Sequence, residues 1–260
     1  MNVFILTDLE GIAGINTIEQ MNREGEEYAS SRQKLTENLN RAIDTCIKSG
    51  AENVYFLDGH GGGGNVYDEL VDQRAEKCTI AKWQELSREG KIDCQIELGA
   101  HTRAGTIGGF LDHTLSSTRI FYIKVNGREM SEVALHATLC GKYGVPVIAV
   151  LGDEAACMQA KEYMPDIYTG TLKKANCRNH AHTFANADEI LVSTIEKALA
   201  NYKNVPLYKV EEPAEIEICY YRTDMCEEAI ERKNGDVERI DARRLKKTVE
   251  KIMRYEDFKF

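Results

Sequence analysis

The chain has 260 residues, 43% hydrophobic and 29% charged, the composition of an ordinary globular protein with room for one large domain or a main domain plus a small one. Its formal net charge of −9 argues against nucleic acid and anionic membranes as partners and suits a site that binds cations. No apolar stretch approaches a membrane span, and Met1 leads into a strand without a basic and apolar signal segment, so a cytoplasmic location is expected.

Val3-Phe4-Ile5-Leu6 is a continuous apolar run, too short for a helix, and it predicts a buried strand. The run stops at Asp8 and Glu10, followed by Gly11. In extended chain the i, i+2 spacing puts both carboxylates on one side of the strand end, where ligands bind in open α/β sheets. Two acids there repel unless a cation or a shared proton lies between them. The competing reading is a turn cap at Asp8 with Glu10 solvated.

Residues 16–27 are polar and read as a loop or broken helical turn. Tyr28, Leu35, Leu39, Ala42, Ile43, Cys46 and Ile47 then recur at helical spacing, which predicts a helix over 28–49 closed by Gly50. Val54-Tyr55-Phe56-Leu57 is a second strand, and a right-handed crossover sets it beside the first. It ends at Asp58-Gly59-His60, and the glycines at 61–64 let backbone approach a ligand closely. A polar region to about Gln95, around the single tryptophan Trp83, shows no clear chemistry.

Ile96 to Ala100 leads into His101, and a glycine- and threonine-rich loop precedes Asp112-His113. A strand over 120–125 meets the turn signal Asn126-Gly127. Ser131-Glu132 opens a helix that Gly144 closes, and 145–151 forms a buried strand before Gly152-Asp153-Glu154 and a helix to about Met164. A further helix covers 187–201. After Pro206, residues 215–221 alternate polar and apolar, as a strand with one wet face does. A helix over 223–232, a short strand near 237–240 and a last helix over 241–255 complete the chain. The pattern predicts a three-layer α/β sandwich with a mixed, mainly parallel sheet (1–205), plus a small C-terminal α/β subdomain (206–260) covering an edge or mouth of it.

Set side by side, the strand ends carry Asp8 and Glu10, Asp58 and His60, and His101, with Glu132 at the next helix start. Carboxylates and imidazoles without thiolates suit a hard-to-borderline divalent metal, zinc or manganese first. The eight scattered cysteines form no Cys-x-x-Cys pair and read as reduced core residues. Five ligands, one able to bridge, suit two metals, which lower the pKa of water towards about 7 and hold an electrophile's oxygen. His113, beyond the glycine-rich loop, is the natural histidine for proton transfer or oxyanion stabilisation. Any one of these histidines can equally be a hydrogen-bonded loop residue. His136, at i+4 from Glu132, reads as a helix-surface residue or a neighbour of the site, the former favoured. His180 and His182 resemble a metal pair on a strand but read better as surface or substrate-loop residues.

These residues carry a specific resemblance. Asp8-Leu9-Glu10-Gly11-Ile12-Ala13-Gly14, Asp58-Gly59-His60, Leu98-Gly99-Ala100-His101-Thr102-Arg103-Ala104, Asn126-Gly127-Arg128 with Glu132, and Val150-Leu151-Gly152-Asp153 are similar to the bacterial D-aminopeptidase family of the dipeptide-transport type. The resemblance runs in order from residue 1 to about 200 and fades in the last 55 residues. It implies a dinuclear zinc peptidase with Asp8, Glu10, His60, His101 and Glu132 as ligands to two Zn2+ per chain and His113 as the catalytic histidine. It also implies a preference for an N-terminal D-residue on short peptides or amino-acid amides, and a homodecamer of two stacked pentamers. Two departures stand out: the loop from His101 to His113 is one residue longer than the family pattern, and the glycines at 61–64 replace more polar residues. The rival readings are a metal-dependent amidase or esterase on a non-peptide substrate, and a catalytically silent ring-forming protein that binds metal and peptide.

Overall fold

The computed structural model describes residues 1–233 and 236–260. The first strand, β1 (Asn2–Thr7), has two apolar faces and therefore sits inside a sheet covered on both sides. Val3 and Ile5 enter a core shared with Leu35, Leu39 and Leu191, whereas Phe4 and Leu6 enter another shared with Trp83 and Leu135. The helix α1 (Tyr28–Lys48) ends at Gly50, whose φ of +92° is the left-handed conformation of a helix stop. The crossover then delivers β2 (Asn53–Asp58) parallel to β1, with Leu6 opposite Leu57.

The region that shows no chemistry in the sequence contains β3 (Ala75–Lys77) and α2 (Ile80–Arg88). Thr79 caps α2 by accepting from the Lys82 amide at 3.2 Å, and Trp83 and Leu86, three residues apart, are its buried face. Next come β4 (Cys94–Ala100), the hairpin β5 (Ile120–Val125) and β6 (Arg128–Glu129), and α3 (Glu132–Lys142). They are followed by β7 (Val147–Asp153), α4 (Glu154–Tyr163), the hairpin β8 (Tyr168–Cys177) and β9 (His180–Thr183), and α5 (Ala187–Ala200). The main sheet runs β3-β2-β1-β4-β7-β8-β9, parallel except for β9. With α1 and α5 against one face and α2, α3 and α4 against the other, it is the expected mixed, mainly parallel α/β sandwich.

The last part of the chain gives β10 (Ala214–Tyr220), α6 (Thr223–Lys233), β11 (Glu238–Arg239) and β12 (Arg244–Val249). β10 is the predicted one-sided strand, with Ile216 and Ile218 fully buried and Glu215 exposed. The last helix expected over 241–255 is instead β12 and, further on, a single 3-10 turn at Tyr255–Phe258. Arg, Lys and Leu favour helix locally, but antiparallel pairing of 244–249 with β10 and burial of Leu245 override that preference. The second sheet runs β11-β12-β10-β5-β6, so residues from both sides of position 206 build it.

Between the two sheets lies α3, and every residue of it from Val133 to Gly141 is buried. The helix is mostly apolar, with His136 and Thr138 as its buried polar residues, and its burial fixes its N-terminus. That N-terminus carries Glu132 to the carboxyl ends of β1, β2 and β4, the crevice where α/β sheets bind ligands.

Candidate metal centre

Where β1 ends, the chain stays bonded to β4: the Asp8 amide donates to the Leu98 carbonyl at 2.8 Å and the Gly11 amide to the Gly99 carbonyl at 2.7 Å. Gly99 permits this approach, because at its φ of +86° a Cβ would stand 2.0 Å from the Asp8 carbonyl oxygen. Asp8 does cap its turn, accepting from the Leu9 amide at 2.8 Å, yet both its carboxylate oxygens also face the crevice.

The glycine-rich loop after β2 is an organised turn. Asp58 belongs to none of the groups that could hold a metal and accepts from the Asn65 amide at 2.6 Å and the Asn65 side chain at 2.7 Å. Asn65 in turn donates to the His60 carbonyl at 2.6 Å and accepts from the hydroxyl of Tyr28. Arg23 donates to the carbonyls of Gly61 and Gly63 at 3.1 and 3.0 Å, so it closes the loop from outside. Asp58 therefore shapes the loop that carries His60.

Six side chains then converge as three overlapping triads: Asp8, Glu10 and His60; Asp8, His101 and Glu132; and Glu10, His101 and His113. His60 Nδ1 lies 3.1 Å from Asp8 Oδ1 and 3.0 Å from Glu10 Oε2. His101 Nε2 lies 3.2 Å from Asp8 Oδ2 and 3.3 Å from Glu132 Oε1. The donor atoms within each triad lie within 4.8 Å of one another, and Asp8 gives one oxygen to each of the first two. His101 Nδ1 meets the Thr102 carbonyl at 2.9 Å, so Nε2 is the nitrogen that points inwards and presents a lone pair when the imidazole is neutral. Although two carboxylates stand near it, that buried Nε2 has no hydrogen bond of acceptable direction. A buried ring nitrogen without a partner, in a donor set of oxygens and imidazole nitrogens, fits a divalent cation.

His113 belongs to the third triad and adjoins the two that share Asp8. Its ring stacks on that of His101 with centroids 4.0 Å apart, and its Nε2 lies 3.7 Å from Glu132 Oε1 and 4.0 Å from Glu10 Oε1. Its Nδ1 is directed at the Leu111 carbonyl, 2.8 Å away. Leu111 and Leu115, on either side of it, hold left-handed φ angles of 51° and 60°, a conformation costing about 1–3 kcal/mol for such side chains. The strain is held by the Leu111 amide on the Arg178 carbonyl and the Leu115 amide on Glu132 Oε1, both at 2.8 Å.

Burial alone would push the Glu10 carboxyl up, but His60, with His101 and His113 beyond it, outweighs burial and holds it well below the usual range. Burial likewise opposes ionisation of Glu132, yet His101 brings its carboxyl down to about 2. Burial pulls His60 and His101 down, while Glu10 and Asp8 on the first and Asp8 and Glu132 on the second raise both well above the ordinary imidazole range. Without metal, the cluster is therefore a set of charged pairs.

His136 is a buried residue, which corrects the surface reading favoured from its spacing. Its Nδ1 pairs with Glu97 at 3.2 Å, and Glu97 continues through Gln95 to the Trp83 indole, with both hydrogen bonds at 2.7 Å. The enclosure of α3 between two sheets leaves it no surface to reach. His180 and His182 are exposed, as expected, and neither belongs to a triad.

Lys173 is the residue that sequence reasoning missed. It is fully buried on β8, and its ammonium contacts the carbonyls of Glu10, Ile12 and Ile15 and lies 4.2 Å from the centroid of the Phe110 ring. Asp153, its neighbour across β7, accepts from the Phe110 amide at 2.8 Å. Burial pulls the ammonium down to about 7 against the opposing pull of Asp153 and Glu10. Three carbonyls and a π face nevertheless match the three donors of the charged form. Lys173 thus ties the loop that carries Glu10 to the loop that carries His113.

The family described as D-aminopeptidase matches residues 1–258 of the chain. A D-aminopeptidase from Bacillus subtilis (strain 168) is 29% identical over 219 residues, covering 82% of this chain and 79% of the relative. Among solved structures, the Zn-dependent D-aminopeptidase DppA from Bacillus subtilis, a self-compartmentalizing protease, superposes with a TM-score of 0.92 at 22% identity. That superposition covers 99% of this chain and 95% of that one, and it shows the fold.

Two predictions follow from the electrostatics. For the metal-free chain, the raised His60 and His101 contribute stability below about pH 6.5, lost as pH rises through their folded values. The depressed Glu10 and Glu132 contribute above about pH 4.5, lost as pH falls, for Glu132 towards about 2. Metal binding needs neutral imidazoles, so the rise in Tm on adding zinc should be small at pH 5.5 and large at pH 8. A zinc-induced rise that is equal or greater at pH 5.5 would contradict this assignment of charges. Second, Lys173→Met should weaken metal affinity about 10–100-fold, as loss of an outer support does, in a chain that remains folded by circular dichroism. Unchanged affinity would reduce Lys173 to a core residue without influence on the centre.

Proposed function

Because the chain belongs to the D-aminopeptidase family, which matches it over residues 1–258, we propose that it is a dinuclear zinc aminopeptidase cutting short peptides and amino-acid amides that carry a free N-terminal D-residue. The observation that carries this reading is the pair of triads sharing Asp8. Asp8, Glu10 and His60 would hold one metal, and Asp8, His101 and Glu132 would hold the other. When bound, the metals supply a water acidic enough to be deprotonated near neutral pH and a Lewis acid for the scissile carbonyl.

The protein's own groups do the rest. His113, with Nδ1 held by the Leu111 carbonyl and its ring held by His101, keeps Nε2 at the mouth of the cluster. From there it donates to the oxyanion as it forms and returns a proton to the departing amine. The acidic cluster gives the substrate's α-ammonium a counter-charge, which makes the free N-terminus a requirement. A cytoplasmic homo-oligomer, a decamer of two stacked pentamers, accompanies this reading. It is supported by the likeness to a protease described as self-compartmentalizing.

Purified enzyme should cleave D-alanyl amide faster than its L counterpart and leave N-acetylated D-alanyl amide intact. His113→Ala should retain its metal and lower kcat by about 100-fold or more. Equal cleavage of free and acetylated substrates would make the chain a general amidase, and unchanged turnover in His113→Ala would remove that residue from the chemistry.

A further inference from the structure

A groove of about 1010 Å³, a size that accommodates a peptide of several residues, leads away from the metal centre. It starts at Gly59, Leu115 and Glu132, passes between the glycine loop and α2, and ends on the C-terminal segment. Four of its lining residues are cations, Lys77, Arg88, Arg254 and Lys259, and three are carboxylates, Asp58 and Glu132 at the centre end and Glu256 on the C-terminal segment. Lys77 is engaged by Asp68 at 2.6 Å and Arg254 by Asp257 at 3.3 Å. Among the described residues, Arg88 and Lys259 pair with no carboxylate, although the chain as a whole carries a net charge of −9.

These two cations are not placed at random. The Tyr255 amide donates to Gln84 Oε1 at 3.2 Å and Gln84 Nε2 reaches Glu256 at 3.4 Å, so α2 and the C-terminal segment are fastened together beneath them. Lys259 Nζ lies 4.7 Å from the centroid of the Tyr255 ring. Tyr255 also walls a chamber of about 50 Å³ that Asp8, His101 and Glu132 enclose from the other side. Chamber, metal centre and groove are therefore continuous, acidic at one end and, with Glu256 engaged by Gln84, dominated by cations at the other. A short unblocked peptide has the opposite polarity, with an ammonium at its head and a carboxylate at its tail.

From this polarity we infer that the groove seats the part of the peptide beyond the scissile bond, and that Arg88 and Lys259 bind its free C-terminal carboxylate. The inference rests on the aminopeptidase reading and deepens it: the preferred substrates are short peptides with both termini free. The two cations are exposed, so their attraction is partly screened and acts on binding more than on turnover.

The test compares a D-alanyl tripeptide with its C-terminal amide. Wild type should favour the free acid about tenfold in kcat/KM, through KM. The Arg88→Gln, Lys259→Gln double variant should bring that ratio to about one while its kcat/KM for the amide stays unchanged. Calorimetric binding of both peptides to the metal-free chain reads the same difference without turnover. Cleavage of acid and amide with equal efficiency by wild type would overturn the subsite and leave the aminopeptidase reading standing. A ratio that survives the double substitution, or an equal loss on both substrates, would also overturn it. Tighter binding of the acid with no cleavage of either peptide would uphold the subsite and overturn the aminopeptidase reading.

Discussion

Three carboxylates, those of Asp8, Glu10 and Glu132, share one crevice with their side chains between 4% and 18% exposed. Their mutual repulsion in a partly dry site is the constraint on which the rest of the structure depends, because such a group persists only with positive charge among its members. Two imidazoles supply it when metal is absent, and divalent cations can replace those protons. The surroundings are arranged accordingly. Lys173 sits behind the Glu10 loop, Arg23 closes the His60 loop, and the Leu115 amide is bonded to Glu132.

The fold makes this cluster rigid by using elements that cannot move independently. Asp8 and Glu10 leave a strand bonded to β4 on one side and β2 on the other. Glu132 starts a helix enclosed between two sheets, so the second sheet, remote from the chemistry, still fixes one corner of the site. His113 stands on a loop that is held in an uncommon backbone conformation at both ends. On the proposed reading, this arrangement separates holding metal from handling protons.

Much of this was legible in the sequence because it follows local rules. Apolar runs ending in acids and histidines marked β1, β2 and β4, and the helix signals at Ser131 and Gly144 placed Glu132 at an element's start. What stayed hidden depends on distant partners. A lysine in a strand reads as solvated, and only the fold brings Lys173 against three carbonyls from residues 10–15. His136 reads as a surface residue until a second sheet covers α3. Residues 244–249 favour helix until β10 offers them an edge to pair with. The spacing of Trp83 and Leu86 behind Thr79 was the signal that could have revealed α2.

The central claim is that Asp8 joins two metal sites into one centre. Metal analysis of purified protein with elemental detection tests it most directly, on wild type and on Asp8→Ala. The account predicts a metal-to-protein ratio near two in wild type and near zero in Asp8→Ala, with the fold retained by circular dichroism. A ratio of one in wild type that survives the loss of Asp8 would contradict it.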